Sequence, residues 1–223
     1  MGVEADGASR ISFGIRRWGL SGNPRVQRYL DARRSGLRRR HIRSRSHIKL
    51  GYVPPMDPPL LLIDIDGVIS LFGFDAAHPP PGRFALVDGI PHFLSAGAAD
   101  LIGGLHKHFE LVWCSGWEER ADEYLPLALG LPSGLRHLTF APADGSEPAR
   151  HWKLSAIEAY AGPDRPLAWV DDQFDESCHR WARARSAPTE LVVTDPAVGL
   201  TPAHQAHLRS WAHRLDGAQS NAP

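Results

Sequence analysis

Leu60-Leu61-Leu62-Ile63-Asp64-Ile65-Asp66-Gly67-Val68 constrains the fold more than any other stretch of the chain. Four apolar residues of strand-like length run into two carboxylates spaced i, i+2 and then a glycine. A buried parallel strand ends in this way at a site, because open α/β sheets bind ligands beyond the carboxyl ends of their strands. Alternation predicts that Asp64 and Asp66 leave the strand on one side, with Ile65 turned away. Close carboxylates repel unless a cation or proton sits between them, which suggests a hard-cation oxygen site of the Mg²⁺ type. Asp-x-Asp-Gly also occurs in ordinary turns and in calcium loops, so this stretch alone leaves both readings open.

The charge pattern divides the 223 residues. Residues 1–55 hold twelve Arg and one Lys against Glu4, Asp6 and Asp31, a net of +10, whereas residues 56–223 carry a net of −10. The first stretch has few apolar residues and Arg runs such as Arg38-Arg39-Arg40, too little to offset the entropy of ordering, and reads as a disordered basic extension. It is either an arm for RNA, DNA or another polyanion, or untranslated text upstream of a start at Met56. Residues 56–217 read as one domain and 218–223 as a flexible tail. Cys114 and Cys178 are the only cysteines, in no metal-like spacing, and no apolar run approaches a membrane span. A soluble protein of the reducing cytoplasm is expected.

Past the first strand, Ser70 to Pro91 reads as a loop or small hairpin flap, and Pro91 to His108 as a helix with Pro in its first turn. A strand at Glu110–Cys114 ends in Ser115-Gly116-Trp117, which reads as a helix cap or as an anion-binding turn. A helix over Trp117–Leu129, with Glu118 and Glu119 in its first turn, leads to a short strand within Leu135–Phe140 and a polar loop at Ala141–Pro148. The next helix, from Ala149 or Arg150 to Tyr160, carries Lys153, one of three lysines in an Arg-rich chain. A strand at Pro166–Val170 ends in Asp171-Asp172. Helix Phe174–Ser186, strand Leu191–Thr194 and a last helix capped by Thr201-Pro202 complete the alternation. The predicted fold is α/β: a three-layer Rossmann-like parallel sheet flanked by helices, with no large cap domain.

Asp64-x-Asp66, Ser115, Lys153 and Asp171-Asp172, in that order and at strand or helix ends, resemble the four motifs of the haloacid dehalogenase-like (HAD) phosphatase superfamily. Trp113-Cys114-Ser115-Gly116-Trp117, Ala168-Trp169-Val170-Asp171-Asp172 and Trp181-Ala182 are similar to an actinobacterial-type HAD group related to the HAD domain of Swiss Army Knife RNA repair proteins. The resemblance covers roughly residues 58 to 215. It implies a Mg²⁺-dependent phosphatase in which Asp64 attacks phosphorus to form an aspartyl-phosphate and Asp66 serves as acid and then base. In the same reading Ser115, Gly116 and Trp117 bind substrate, and Lys153 neutralises charge, with Arg150 as fallback. Asp64, Asp66, Asp171 and Asp172 hold the metal, Asp66 through its backbone carbonyl. Either member of the Asp171-Asp172 pair is open as the direct acidic ligand, with Asp172 favoured and Asp171 supporting it, and Asp175 reaches the metal through water. An uncapped cleft would admit an RNA or DNA terminal phosphate or a nucleotide, with Trp117, Phe72 or Phe74 stacking on a base. A small phosphomonoester substrate, phosphotransfer and a non-catalytic binding module are the alternatives.

Overall fold

The computed structural model describes residues 57–140 and 150–220. The basic stretch and the loop expected at Ala141–Pro148 lie outside the described residues. Contacts separate Met1–Pro54 from Pro55–Pro223, and the second unit holds every element below.

Strand β1 (Leu60–Ile63) is buried on both faces at the centre of a five-stranded sheet. Beside it lie β5 (Glu110–Trp113) and β7 (Leu167–Asp171), and outside these β6 (Arg136–His137) and β8 (Thr189–Val193), all pairing parallel. Alternation sorts the core. Leu61, Ile63, Leu111, Trp113, Ala168 and Val170 face helices α1 (Ala98–Leu105), α2 (Arg120–Leu129) and α5 (Pro202–Ser220). Leu60, Leu62, Val112, Leu167 and Trp169 face α3 (Leu154–Ala161) and α4 (Glu176–Ala184). This is the expected three-layer α/β architecture, and no large cap is present among the described residues. The chain leaves β1 for β5 on one side and returns to β7 on the other, so the crevice at the carboxyl ends opens around β1. No helix among the described residues is long and apolar enough to cross a membrane.

A second, antiparallel sheet of β2 (Ser70–Leu71), β4 (Ile90–Ser95) and β3 (Gly82–Val87) replaces the first half of the helix expected from Pro91. Asp88-Gly89, both with positive φ, makes a two-residue turn between the paired Val87 and Ile90. Pro91 is tolerated there because β2 reaches only Phe93 and Leu94, so its missing N–H faces no β2 partner. Only Ala98–Leu105 is helical in that stretch.

Other boundaries move for local reasons. Glu118 adopts φ 49°, a left-handed conformation no helix accommodates, so α2 starts at Arg120 instead of Trp117. Lys153 stands at the N-cap of α3, not on the helix. Asp175 caps α4, its Oδ1 accepting the Cys178 N–H at 3.0 Å and the Ser177 hydroxyl at 2.5 Å. Thr201 caps α5 as expected, accepting the His204 N–H at 3.3 Å. That helix continues to Ser220, so the chain past residue 217 begins as helix and not as a tail.

Candidate active site

The sheet brings Asp64, Ser115 and Asp171 to neighbouring strand ends. Asp64 follows the last residue of β1, and its N–H donates to the Val170 carbonyl at 2.9 Å, one residue before Asp171. Lys153 arrives from the α3 side, where β1 and β7 present Leu62 and Trp169. Its Nζ donates to Asp64 Oδ2 at 2.9 Å and to Asp171 Oδ2 at 2.7 Å. Asp171 Oδ2 also accepts the Trp169 indole N–H at 3.0 Å, and Oδ1 the Gln173 N–H at 3.2 Å. Asp171 is thus held on all sides, whereas Asp172 is half-buried beside it.

Carboxylate oxygens of Asp64, Asp171 and Asp172 lie within 4.8 Å of one another. One ammonium serves three acids, and the electrostatics record the deficit. Burial pushes the Asp64 carboxyl up to about 7 against the pull of Lys153, with Asp171 adding to the rise. Burial and then Asp171 raise Asp172 to about 6. Burial alone would lower Lys153, but Asp64 and Asp171 outweigh it and hold the ammonium above its ordinary value. The cation is therefore satisfied and the anions are not. An all-oxygen set with surplus negative charge fits a hard divalent cation. Gly67 completes this corner. With φ 76° and a Cβ position 2.5 Å from Asp172 Cβ, it lets the β1 loop close against Asp172, and its carbonyl accepts the Thr194 hydroxyl at 2.9 Å.

Asp66 keeps different company from Asp64. The strand stops at Ile63 and the chain turns, the Ile65 carbonyl accepting N–H groups of Val68, Ile69 and Ser70. Strand alternation therefore does not extend to the second acid. The half-exposed Asp66 accepts the Trp117 indole N–H at 3.0 Å on Oδ2. His92 Nδ1 approaches its Oδ1 at 3.5 Å and Ser70 Oγ at 3.0 Å. Trp117 is 7% exposed and meets the His92 ring at 4.6 Å, so it holds Asp66 and offers little face for a base to stack on.

Ser115 is buried at the end of β5, its Oγ 3.5 Å from the Trp117 N–H. Glu118 closes the turn by accepting the Phe140 N–H at 3.0 Å. Arg150 pairs with Glu158 at 2.5 Å. Both cysteines are buried, and burial raises both thiols, Cys178 to about 12, which disfavours the reactive thiolate at each. Sequence reasoning missed His92 because its segment read as helix; the Asp88-Gly89 turn was the available signal. It also passed over Trp152, which borders Gly116.

No family model matches the chain, and no curated protein matches it either.

Proposed function

We propose that this chain is a HAD-type, Mg²⁺-dependent phosphoric monoester hydrolase working through an aspartyl-phosphate. The observation that carries the reading is the buried Lys153 ammonium bridging Asp64 and Asp171 at the carboxyl end of the central strand. A lysine buried at a strand end between two carboxylates is placed to steady charge that changes during a reaction. Asp64, Asp171 and Asp172 would hold Mg²⁺, which supplies charge neutralisation for the phosphoryl oxygens when bound.

In the first step an Asp64 oxygen forms a bond to phosphorus while the bond to the leaving oxygen breaks, and Asp66 gives that oxygen its proton. In the second, water attacks phosphorus, Asp66 takes the water proton, and the Asp64–phosphorus bond breaks, restoring the carboxylate. Lys153 steadies the negative charge at Asp64 throughout. Trp117 and His92 aim Asp66, a positioning role that leaves the proton chemistry to the carboxylate. Ser115 and the adjoining turn hold phosphoryl oxygens.

Nucleic-acid terminal phosphates or nucleotides are the proposed substrates, in keeping with the resemblance to RNA repair HAD domains and with the lack of a large cap among the described residues. Asp64→Asn is expected to lower Mg²⁺-dependent turnover of p-nitrophenyl phosphate, nucleotides and phosphorylated oligonucleotides by at least ~10³-fold. Full activity in folded Asp64→Asn protein would sink the mechanism. Folded wild type inert on every substrate would favour a binding module.

A further inference from the structure

The chemistry at Asp64 does not say what the phosphoryl group is attached to, but the rim of the crevice does. Trp152 is 43% exposed, although Lys153 after it is 3% exposed. Its Cη2 lies 3.8 Å from the point where Gly116 would carry a Cβ, so the turn after Ser115 lies in van der Waals reach of the indole edge. Lys153 Nζ lies 2.9 Å from Asp64 Oδ2 and 5.2 Å from the Trp152 ring centre, over the ring, so the indole borders the reactive carboxylate's own ammonium. Phe140 meets the indole at 4.6 Å, and His151 lies nearly parallel to it at 6.1 Å, so the ring is seated before any ligand arrives. A seated, exposed indole beside an anion-holding turn suits a planar group joined to a phosphate by a short spacer. The net charge of −10 on residues 56–223 disfavours a long polyanion lying across the same face.

We propose that Trp152, backed by Phe140, is the platform on which the nucleobase of a nucleoside monophosphate stacks, with the phosphate at Asp64. The substrate class is then a nucleotide, free or at the end of a short oligonucleotide, and the proposal rests on the phosphatase reading. Turnover of adenosine 5′-monophosphate, a 5′-phosphorylated adenosine tetranucleotide and glycerol 3-phosphate should be compared in the full-length wild type, Trp152→Ala and Trp152→Phe. Calorimetric binding of adenosine 5′-monophosphate to Asp64→Asn, with and without Trp152→Ala, gives a readout independent of turnover.

Stacking of one base predicts that Trp152→Ala raises KM for adenosine 5′-monophosphate roughly 10- to 100-fold, with Trp152→Phe recovering most of it. Glycerol 3-phosphate, which has no ring, should change less than about twofold. A larger effect on the tetranucleotide would assign the platform to a strand end, and a larger effect on the mononucleotide to a free nucleotide. Equal losses on glycerol 3-phosphate and nucleotide, or no loss on either, would overturn the platform while leaving the phosphatase standing. Absent turnover together with nucleotide binding weakened by Trp152→Ala would do the reverse. Absent nucleotide binding would overturn the platform outright.

Discussion

In the proposed mechanism Asp64 faces two demands: burial to exclude water from the reacting phosphorus, and ionisation to attack. Burial holds its carboxyl at about 7 against an ordinary 3.8. Between those values the unfolded carboxyl has lost its proton and the folded one keeps it. The folded state then binds more protons, and stability falls as pH rises through that window. In chelator-containing buffer, thermal melts are expected to show the wild type losing on the order of 5 °C more than Asp64→Asn between pH 5 and pH 7.5. Parallel losses in the two proteins would place the strain elsewhere. A divalent cation shared by Asp64, Asp171 and Asp172 would lower both raised acids, leave Asp64 ionised at neutrality and narrow the difference.

At the scale of elements, the antiparallel sheet of β2, β4 and β3 sets the environment of Asp66. Ser70 and His92 share its inward face, Ser70 pairing with Leu94 and His92 with Ala85, and His92 reaches Asp66 from there. The turn after β5 brings Trp117 to the same carboxylate. Removing the indole donor by Trp117→Phe keeps the aromatic packing and is expected to lower kcat roughly 10- to 100-fold, with KM changing less than about threefold. A change confined to KM would return Trp117 to substrate binding.

The opposite end of the sheet is held by an ion-paired carboxylate. Glu110 at the start of β5 accepts from Arg165 at 2.7 Å and from the Tyr160 hydroxyl at 3.0 Å. The Arg165 hydrogen bond leads the lowering of its pKa, against a rise from burial. A depressed folded value contributes stability above the ordinary 4.5 and loses it as pH falls through the folded value. Glu110→Gln should cost about 1 kcal/mol at pH 7 by denaturant unfolding, and that gap should close as pH falls through the lowered folded value. A gap that persisted at low pH would mean the group contributes by packing.

For the molecule as a whole, every buried hydrophobic residue among those described falls between Leu60 and Ala212. A fragment spanning residues 57–223 is therefore expected to melt within about 3 °C of the full chain. The basic stretch belongs to a different question, since a net of +10 suits electrostatic attraction to a polyanion. Full-length protein should bind an RNA homopolymer in a salt-dependent way, and the fragment, with its net negative charge, should not. Equal binding by both would remove the arm from any such role.

The α/β alternation and the placing of Asp64, Ser115 and Asp171-Asp172 at strand ends were legible in the residues. A buried parallel strand needs a continuous apolar run, and where that run stops is written locally. The hairpin was legible only in part. Asp88-Gly89 carried its turn, yet the spacing of Phe93, Leu94, Leu101 and Leu105 imitated one helix across two elements. Which acid meets which partner belonged to the tertiary structure. Lys153 reaches Asp64 and Asp171 because β1 and β7 are neighbours and α3 packs over them, while Asp66 meets Trp117 and His92 because two other connections converge there. Local sequence determines which groups stand at the ends of strands. Their pKa values, their partners and the exposed Trp152 beside them arise from packing between segments distant in the chain, which no local pattern encodes.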